Sequence, residues 1–335
     1  MPRGRVAGMV AGKTQRAAPG PIPAPPDKGS PMTAWTIADM PPQHGLSAVV
    51  TGTGGLGYET ALALAKAGAS VVIAGRNAEK GADAVTAIAR AAPGARVRFR
   101  QLDLADLASI AAFAAGLADD ELGLDLLINN AAVMAPPERR VTRDGFELQF
   151  GTNYLGHFAL TGRLMPLLRQ GRSARVVTLS SIAARGGAID FDDLMAERIY
   201  RPMPVYAQSK LACLMFALEL SRRSAAAGWG VASIAAHPGV SRTNLIPNGA
   251  GPRSLQGIVR RFLPFLFQPA AQGALPSLYA ATDRKARDGV YYGPDRLGGT
   301  RGHPTEETLP ADARDERAAA RLWLRSEELT GVRFG

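Results

Sequence analysis

The chain of 335 residues holds a single cysteine, Cys213, so it can close no disulfide within itself and offers no cysteine-based zinc site. A reducing, cytoplasmic setting is the expectation. Aromatic residues are scarce at 6 %, which argues against the stacked-base platforms that bind single-stranded nucleic acid. Long apolar runs are missing too: the stretch 262–267 falls far short of the ~20 residues that span a bilayer, so no transmembrane helix is expected. Acidic residues are outnumbered, 29 to 39, giving a net charge of +10. Residues 1–31 carry +4 of that excess. The remainder is spread thinly, which fits an Arg-rich surface and a small phosphorylated ligand better than a nucleic-acid partner.

Hydrophobic residues make up 46 % and charged residues 20 % of the chain, the balance of a globular protein with a sizeable core. Residues 1–31 are rich in Pro, Gly, Ala and Arg and read as a disordered basic tail, since such a run builds neither a helix nor an internal strand. From Ala48 onward, short β-rich runs alternate with Ala/Leu-rich stretches of helical period. That alternation predicts repeated βαβ units and a parallel sheet. The expected strands are 48–51, 70–74, 96–101, 125–128, 175–179, 231–235 and a short one at 290–292; the expected helices are 57–67, 78–91, 109–118, 144–168, 205–227 and, after a Gly/Pro-rich link, 312–329. The near-continuous apolar strands predict burial on both faces. The fold expected is therefore α/β, a Rossmann-type doubly wound, seven-stranded and mainly parallel sheet with helices on both faces, forming a single domain.

The first strand runs into Thr51-Gly52-Thr53-Gly54-Gly55-Leu56-Gly57 and then a helix. A Gly-rich turn at a helix N-terminus presents bare N–H groups and the positive end of the helix dipole, which suits a pyrophosphate. Gly52, Gly54 and Gly57 match the dinucleotide fingerprint in the strand–turn–helix setting that it requires. The second strand ends at Gly75-Arg76-Asn77, where an acid would bond the ribose 2′-hydroxyl of NAD. Arg76 instead offers a fork of donors suited to a 2′-phosphate, so NADP(H) is the expected cofactor. Tyr206 and Lys210 are four residues apart in a helical stretch and project from one face. A nearby ammonium would favour phenolate and bring a tyrosine, ordinarily near pKa ≈ 10, toward acid/base work at neutral pH.

Further motifs follow in order: Asn129-Asn130-Ala131-Ala132, Asn153 in Asn153-Tyr154-Leu155-Gly156-His157-Phe158, Ser181, and Pro238-Gly239. Together with the Gly turn and the Tyr-x-x-x-Lys pair, they make residues 44–300 resemble the short-chain dehydrogenase/reductase family. Ile189-Asp190-Phe191-Asp192-Asp193-Leu194 and Tyr291-Tyr292-Gly293-Pro294 resemble its retinol-dehydrogenase-like branch. The resemblance implies that Tyr206 exchanges a proton with the substrate oxygen while hydride moves to or from a nicotinamide, and that Lys210 holds the nicotinamide ribose. It implies that Ser181 bonds the carbonyl oxygen and that Asn153 anchors a water reaching Lys210. Ser181 is chosen over Ser180 because its separation from Tyr206 is similar to that in the branch. In the same transfer Thr53, Leu56 and Asn77 join the glycines and Arg76 at the phosphates and ribose. Asp103 and Leu104 flank adenine, Asn130 and Ala131 line the cofactor, and Pro238, Gly239 and Thr243 meet the nicotinamide side.

One departure stands out: the turn is one residue shorter than the family's Thr-Gly-x-x-x-Gly-x-Gly. It must tighten or start its helix early, and it keeps open the alternative of a catalytically weak NADP-binding or sensing protein. The region 241–269, broken by Gly and Pro and rich in Phe, Leu and Ile, is expected to be a lid over an apolar carbonyl or alcohol substrate. Residues 301–335 are expected to form a C-terminal extension with a helix. His157, His237 and Cys213 read as structural, and Asp190, Asp192 and Asp193 as loop caps, so no metal is expected. The helices carrying Asn153 and Tyr206 form the common dimer surface of the family, which implies a homo-dimer or tetramer.

Overall fold

The computed structural model describes residues 34–120, 123–241 and 268–334. The tail expected at 1–31, Thr243 and nearly all of the lid expected at 241–269 lie outside the described residues. Among the described residues, eight strands form one sheet: β1 (Ser47–Thr51), β2 (Ser70–Gly75), β3 (Val97–Gln101), β4 (Leu126–Asn129), β5 (Arg175–Leu179), β6 (Ala232–Ala236), β7 (Tyr291–Arg296) and β8 (Arg301–Glu306), in the order 3-2-1-4-5-6-7-8. The first seven pair in parallel and β8 returns antiparallel on β7.

Successive strand residues feed opposite cores, as a period of two demands. Val49, Leu127 and Val176 enter one hydrophobic cluster, whereas Val50, Ile128 and Val177 enter the other. Helices α1 (Leu56–Lys66), α2 (Ala78–Ala91) and α7 (Leu275–Thr282) cover the second face; α6 (Ala270–Gly273) is a single turn before α7. Helices α3 (Leu107–Asp120), α4 (Gly156–Leu168) and α5 (Pro202–Ala227) cover the first. Each boundary has a local cause. The Asn77 side chain accepts from Lys80 N at 2.8 Å and starts α2. Pro202 opens α5, and Gly228 closes it at φ 66°.

The expected seventh strand lengthens and an eighth appears. The stretch Arg301–Glu306 contains Gly302 and Pro304, poor strand formers, yet as the outer strand beside β7 it needs no donor from Pro304 on its free side. The chain reverses there through Leu297, Gly298 and Gly299, all at positive φ. The helix expected over 144–168 starts late, because Gly145 takes φ 85° and the Glu147 carboxylate accepts from Phe150 N at 2.7 Å. It then passes through a π-helical turn, Phe150–Leu155, before α4. Past residue 300 the chain is tied to the body: β8 pairs with β7, and α8 (Glu316–Thr330) packs on α5. Crossovers leave β1 and β4 in opposite directions, so a crevice opens beyond their carboxyl ends. Among the described residues no helix is long and apolar enough to cross a membrane.

Candidate active site

The turn between β1 and α1 absorbs its missing residue through glycine geometry. Gly52 sits at φ 102° and Gly55, the residue before the helix, at φ 55°, so α1 begins at Leu56, before the last glycine of the motif. A Cβ on Gly57 would lie 2.4 Å from the Gly52 carbonyl oxygen and 2.7 Å from Asn130 Nδ2. The fold therefore demands glycine here. The first-turn N–H groups of α1 have no partner within the helix and meet a cavity of ≈ 650 Å³ lined by Gly52 to Leu56, Arg76, Asn77, Lys80, Asp103, Leu104, Asn130, Ala131 and Thr152. Glycine backbone, open donors and a helix N-terminus at one end, with exposed Arg76 and Lys80 at the other, fit a dinucleotide. Lys80 was not among the residues singled out in the sequence. Its signal is its place in the first turn of α2, four residues past Arg76.

A second cavity of ≈ 180 Å³ adjoins the first, sharing Leu56, Asn130, Ala132 and Met134. Ser181, Tyr206, Lys210, Pro238 and Gly239 line it, with Met203, one turn before Tyr206, as a further wall. The two neighbouring serines separate cleanly. Ser180 Oγ donates to the Lys210 carbonyl at 2.7 Å, stapling β5 to α5, whereas Ser181 Oγ accepts from Ala183 N at 3.2 Å and lines the cavity together with Tyr206. Burial pushes the Tyr206 phenol up to about 12, and the neighbouring Ser181 hydroxyl pulls the other way without offsetting it. Here the structure departs from the expected phenolate support by Lys210. Its ammonium donates to the Leu179 carbonyl at 2.9 Å, and burial lowers its own pKa.

Asn153 lies in the π-helical turn and lines neither cavity. Its amide clamps both backbone groups of Val133: Oδ1 accepts from Val133 N at 2.7 Å and Nδ2 donates to Val133 O at 2.9 Å. Its carbonyl already accepts from His157 Nδ1 at 2.8 Å and from Cys213 Sγ at 3.1 Å, two donors for two lone pairs. The Asn153 side chain is thus a clamp on the loop that walls the dinucleotide cavity.

His157, read from sequence as structural, joins this clamp to the Gly turn. Thr51 Oγ1 accepts from Asn130 N and Ala131 N, both at 2.9 Å, so its own hydrogen is free to reach His157 Nε2, also at 2.9 Å. Since Nδ1 must donate to the Asn153 carbonyl, the ring is the neutral Nδ1–H tautomer. Burial depresses its pKa to about 4, keeping it neutral. Thr51 thus holds the start of the cavity wall, Asn153 holds its end, and His157 ties the two anchors.

Gly239 stands at φ 62°, and a Cβ there would meet Thr300 O at 2.3 Å, which locks the Pro238-Gly239 corner against the β7–β8 hairpin. His237 is buried behind it with Nε2 3.3 Å from Glu307 Oε1. The loop aspartates serve turns: Asp190 Oδ1 accepts from Asp192 N and Asp193 N, and Asp193 accepts from Glu197 N and Arg198 N.

A dinucleotide cleft opening onto Ser181 beside the buried Tyr206 and Lys210 defines a nicotinamide-dependent oxidoreductase acting on CH–OH groups, and the family model described as short chain dehydrogenase matches residues 47–249. The chain belongs to the short-chain dehydrogenase family, in its retinol-dehydrogenase-like branch. It is 41 % identical to mouse (Mus musculus) polyprenol dehydrogenase over 303 residues, 88 % of this chain and 87 % of that one. It is 40 % identical to mouse retinol dehydrogenase 13 over 294 residues, covering 86 % and 84 %. Among solved structures, an uncharacterised protein of Mycobacterium paratuberculosis is 41 % identical, with a TM-score of 0.74 over 90 % of this chain and 100 % of that one.

Proposed function

We propose that the protein interconverts an apolar alcohol and its ketone or aldehyde with NADP(H), using Tyr206 as the acid/base. The observation that carries this is the buried Tyr206, lining with Ser181 and Lys210 a cavity that adjoins the dinucleotide cleft. A bound nicotinamide would supply or take up the hydride. Tyr206 then gives a proton to the substrate oxygen in reduction and takes one in oxidation, while the Ser181 hydroxyl steadies the charge growing on that oxygen. A phenol held near 12 is protonated at neutral pH, so the resting site is poised to reduce carbonyls. Arg76 and Lys80 face one end of the cleft without an acid for a 2′-hydroxyl at the strand end, which favours the 2′-phosphate of NADP. The second cavity is walled by Leu56, Ala132, Met134, Ile182 and Met203, with few polar groups, which supports an apolar substrate. A reducing, cytoplasmic setting belongs to the same proposal, since Cys213 serves as a buried free thiol donating to Asn153.

The test is purified protein with NADPH and a panel of apolar aldehydes and ketones, followed at the cofactor absorbance, beside Tyr206→Phe. Turnover that falls at least a hundredfold in the variant, with NADPH binding intact, is the expected result. Equal and slow turnover in both, with NADPH bound, would instead identify a binding or sensing protein on this fold.

A further inference from the structure

Helices α4 and α5 are buried almost all round: of α4 only Arg163 and Pro166 escape burial, and α5 is buried continuously from Val205 to Leu220. A helix apolar on every side needs a partner on its outer face as well as its inner one. The sheet supplies the inner cover. On the outer face, Tyr154, Phe158 and Gly162 follow one another at steps of four, a single ridge along the π-helical turn and α4. Each meets the C-terminal segment 316–334. Tyr154 Oη lies 2.6 Å from Ser326 Oγ, both buried. The Phe158 ring lies 5.1 Å from Trp323 and 5.0 Å from Phe334. A Cβ on Gly162 would come within 2.6 Å of Val332 Cγ1 and 2.8 Å of Phe334 Cε2, so this glycine admits the tail.

On α5 the same segment continues the contact. Phe216 stacks on Trp323 at 5.8 Å, and the Arg223 guanidinium lies 4.5 Å above the Trp323 ring. Trp323 is 1 % exposed, whereas Arg317, Arg325 and Glu328 are exposed on α8 beside Leu324, and Arg321 lies 4.1 Å over the Phe191 ring. The segment therefore has one apolar side that fits the α4–α5 ridge and one charged side that faces water, the form of a cover and not of a docking platform.

We infer that segment 316–334 closes the α4–α5 face within its own chain, in the place where the family resemblance puts a second copy, so that the protein does not assemble through that face. The inference is independent of the proposed reaction. It is tested in the full chain by sedimentation velocity on the parent, expected to run as a monomer, and on Trp323→Glu, which leaves α4 and α5 unaltered. Opening the cover should produce concentration-dependent self-association absent from the parent; a parent that is itself a dimer, and is dissociated by this substitution, would place the face between chains and refute the closure.

Discussion

Replacing His157 by asparagine or by glutamine separates its two hydrogen bonds, because asparagine sets an amide near the ring's Nδ1 position and glutamine sets one near Nε2. His157→Asn keeps a donor for the Asn153 carbonyl but leaves the Thr51 hydroxyl without its 2.9 Å acceptor, with only Ile128 O at 3.3 Å to turn to. His157→Gln keeps the acceptor for Thr51 and strips the Asn153 carbonyl of its 2.8 Å donor, leaving it the weaker Cys213 thiol. A buried group left unpaired costs about 1–3 kcal/mol, and the fallback at Ile128 puts Thr51 toward the low end. About 1.4 kcal/mol is a factor of ten in binding. Thr51 fixes the start of the dinucleotide wall, so His157→Asn should raise the KM for NADPH roughly tenfold at nearly unchanged kcat. Asn153 fixes the far end of the wall, next to Met134 in the second cavity, so His157→Gln should act mainly on kcat. The assay is steady-state reduction of an apolar aldehyde with NADPH varied, with thermal unfolding run in parallel. If both variants lose the same few degrees of Tm and show the same kcat and KM changes, His157 only fills space. The pH arm has a definite sign. The ring's pKa falls from 6.5 in the unfolded chain to about 4 in the folded one. The unfolded chain therefore takes up the proton first, and stability is lost as pH falls from about 6.5 toward 4. A gap of that size amounts to about 3 kcal/mol at most, which neither variant should show.

Gly57→Ala should abolish cofactor binding in a fluorescence titration, since its Cβ would sit 2.4 Å from Gly52 O; Gly54→Ala, with nothing within 4 Å, should bind within a few-fold of the parent. Arg76→Ala should weaken NADPH by roughly 10–100-fold, the loss of one charge-assisted bond, and leave NADH unchanged; an unchanged preference would dismiss Arg76 as the 2′-phosphate ligand. With the Tyr206 phenol held near 12, kcat/KM for carbonyl reduction should stay level from about pH 6 to 9, while alcohol oxidation, which needs phenolate, should climb roughly tenfold per unit. A reduction rate that falls above pH 7 would show that the tyrosine titrates there instead. Ser181→Ala should lower kcat by roughly 10²-fold as an oxyanion partner is lost, whereas Ser180→Ala should act on Tm, because Ser180 bonds the Lys210 carbonyl.

The doubly wound architecture was legible in the sequence because it is carried by local periodicity: apolar strands of four to six residues, buried on both faces, between Ala/Leu-rich helices. The Gly turn, Arg76 and the Tyr206–Lys210 spacing are local as well. A turn's glycines and a helix's four-residue step are read directly along the chain. Strand β8 was hidden because Gly302 and Pro304 lack strand propensity and pair only as an edge beside β7. Side-chain economy across the fold was equally out of reach. Which of two adjacent serines is tied to the Lys210 carbonyl, and that Asn153 clamps Val133, depend on atoms brought together from distant segments. So do the bond between Thr51 and His157 and the fit of Trp323 and Phe334 to the outer face of α4. Sequence spacing determined which residues could cooperate along one helix or turn. Only tertiary packing decided burial, and burial holds Tyr206 near 12 and His157 neutral, because removing a charged form from water outweighs the single hydrogen bonds that oppose it.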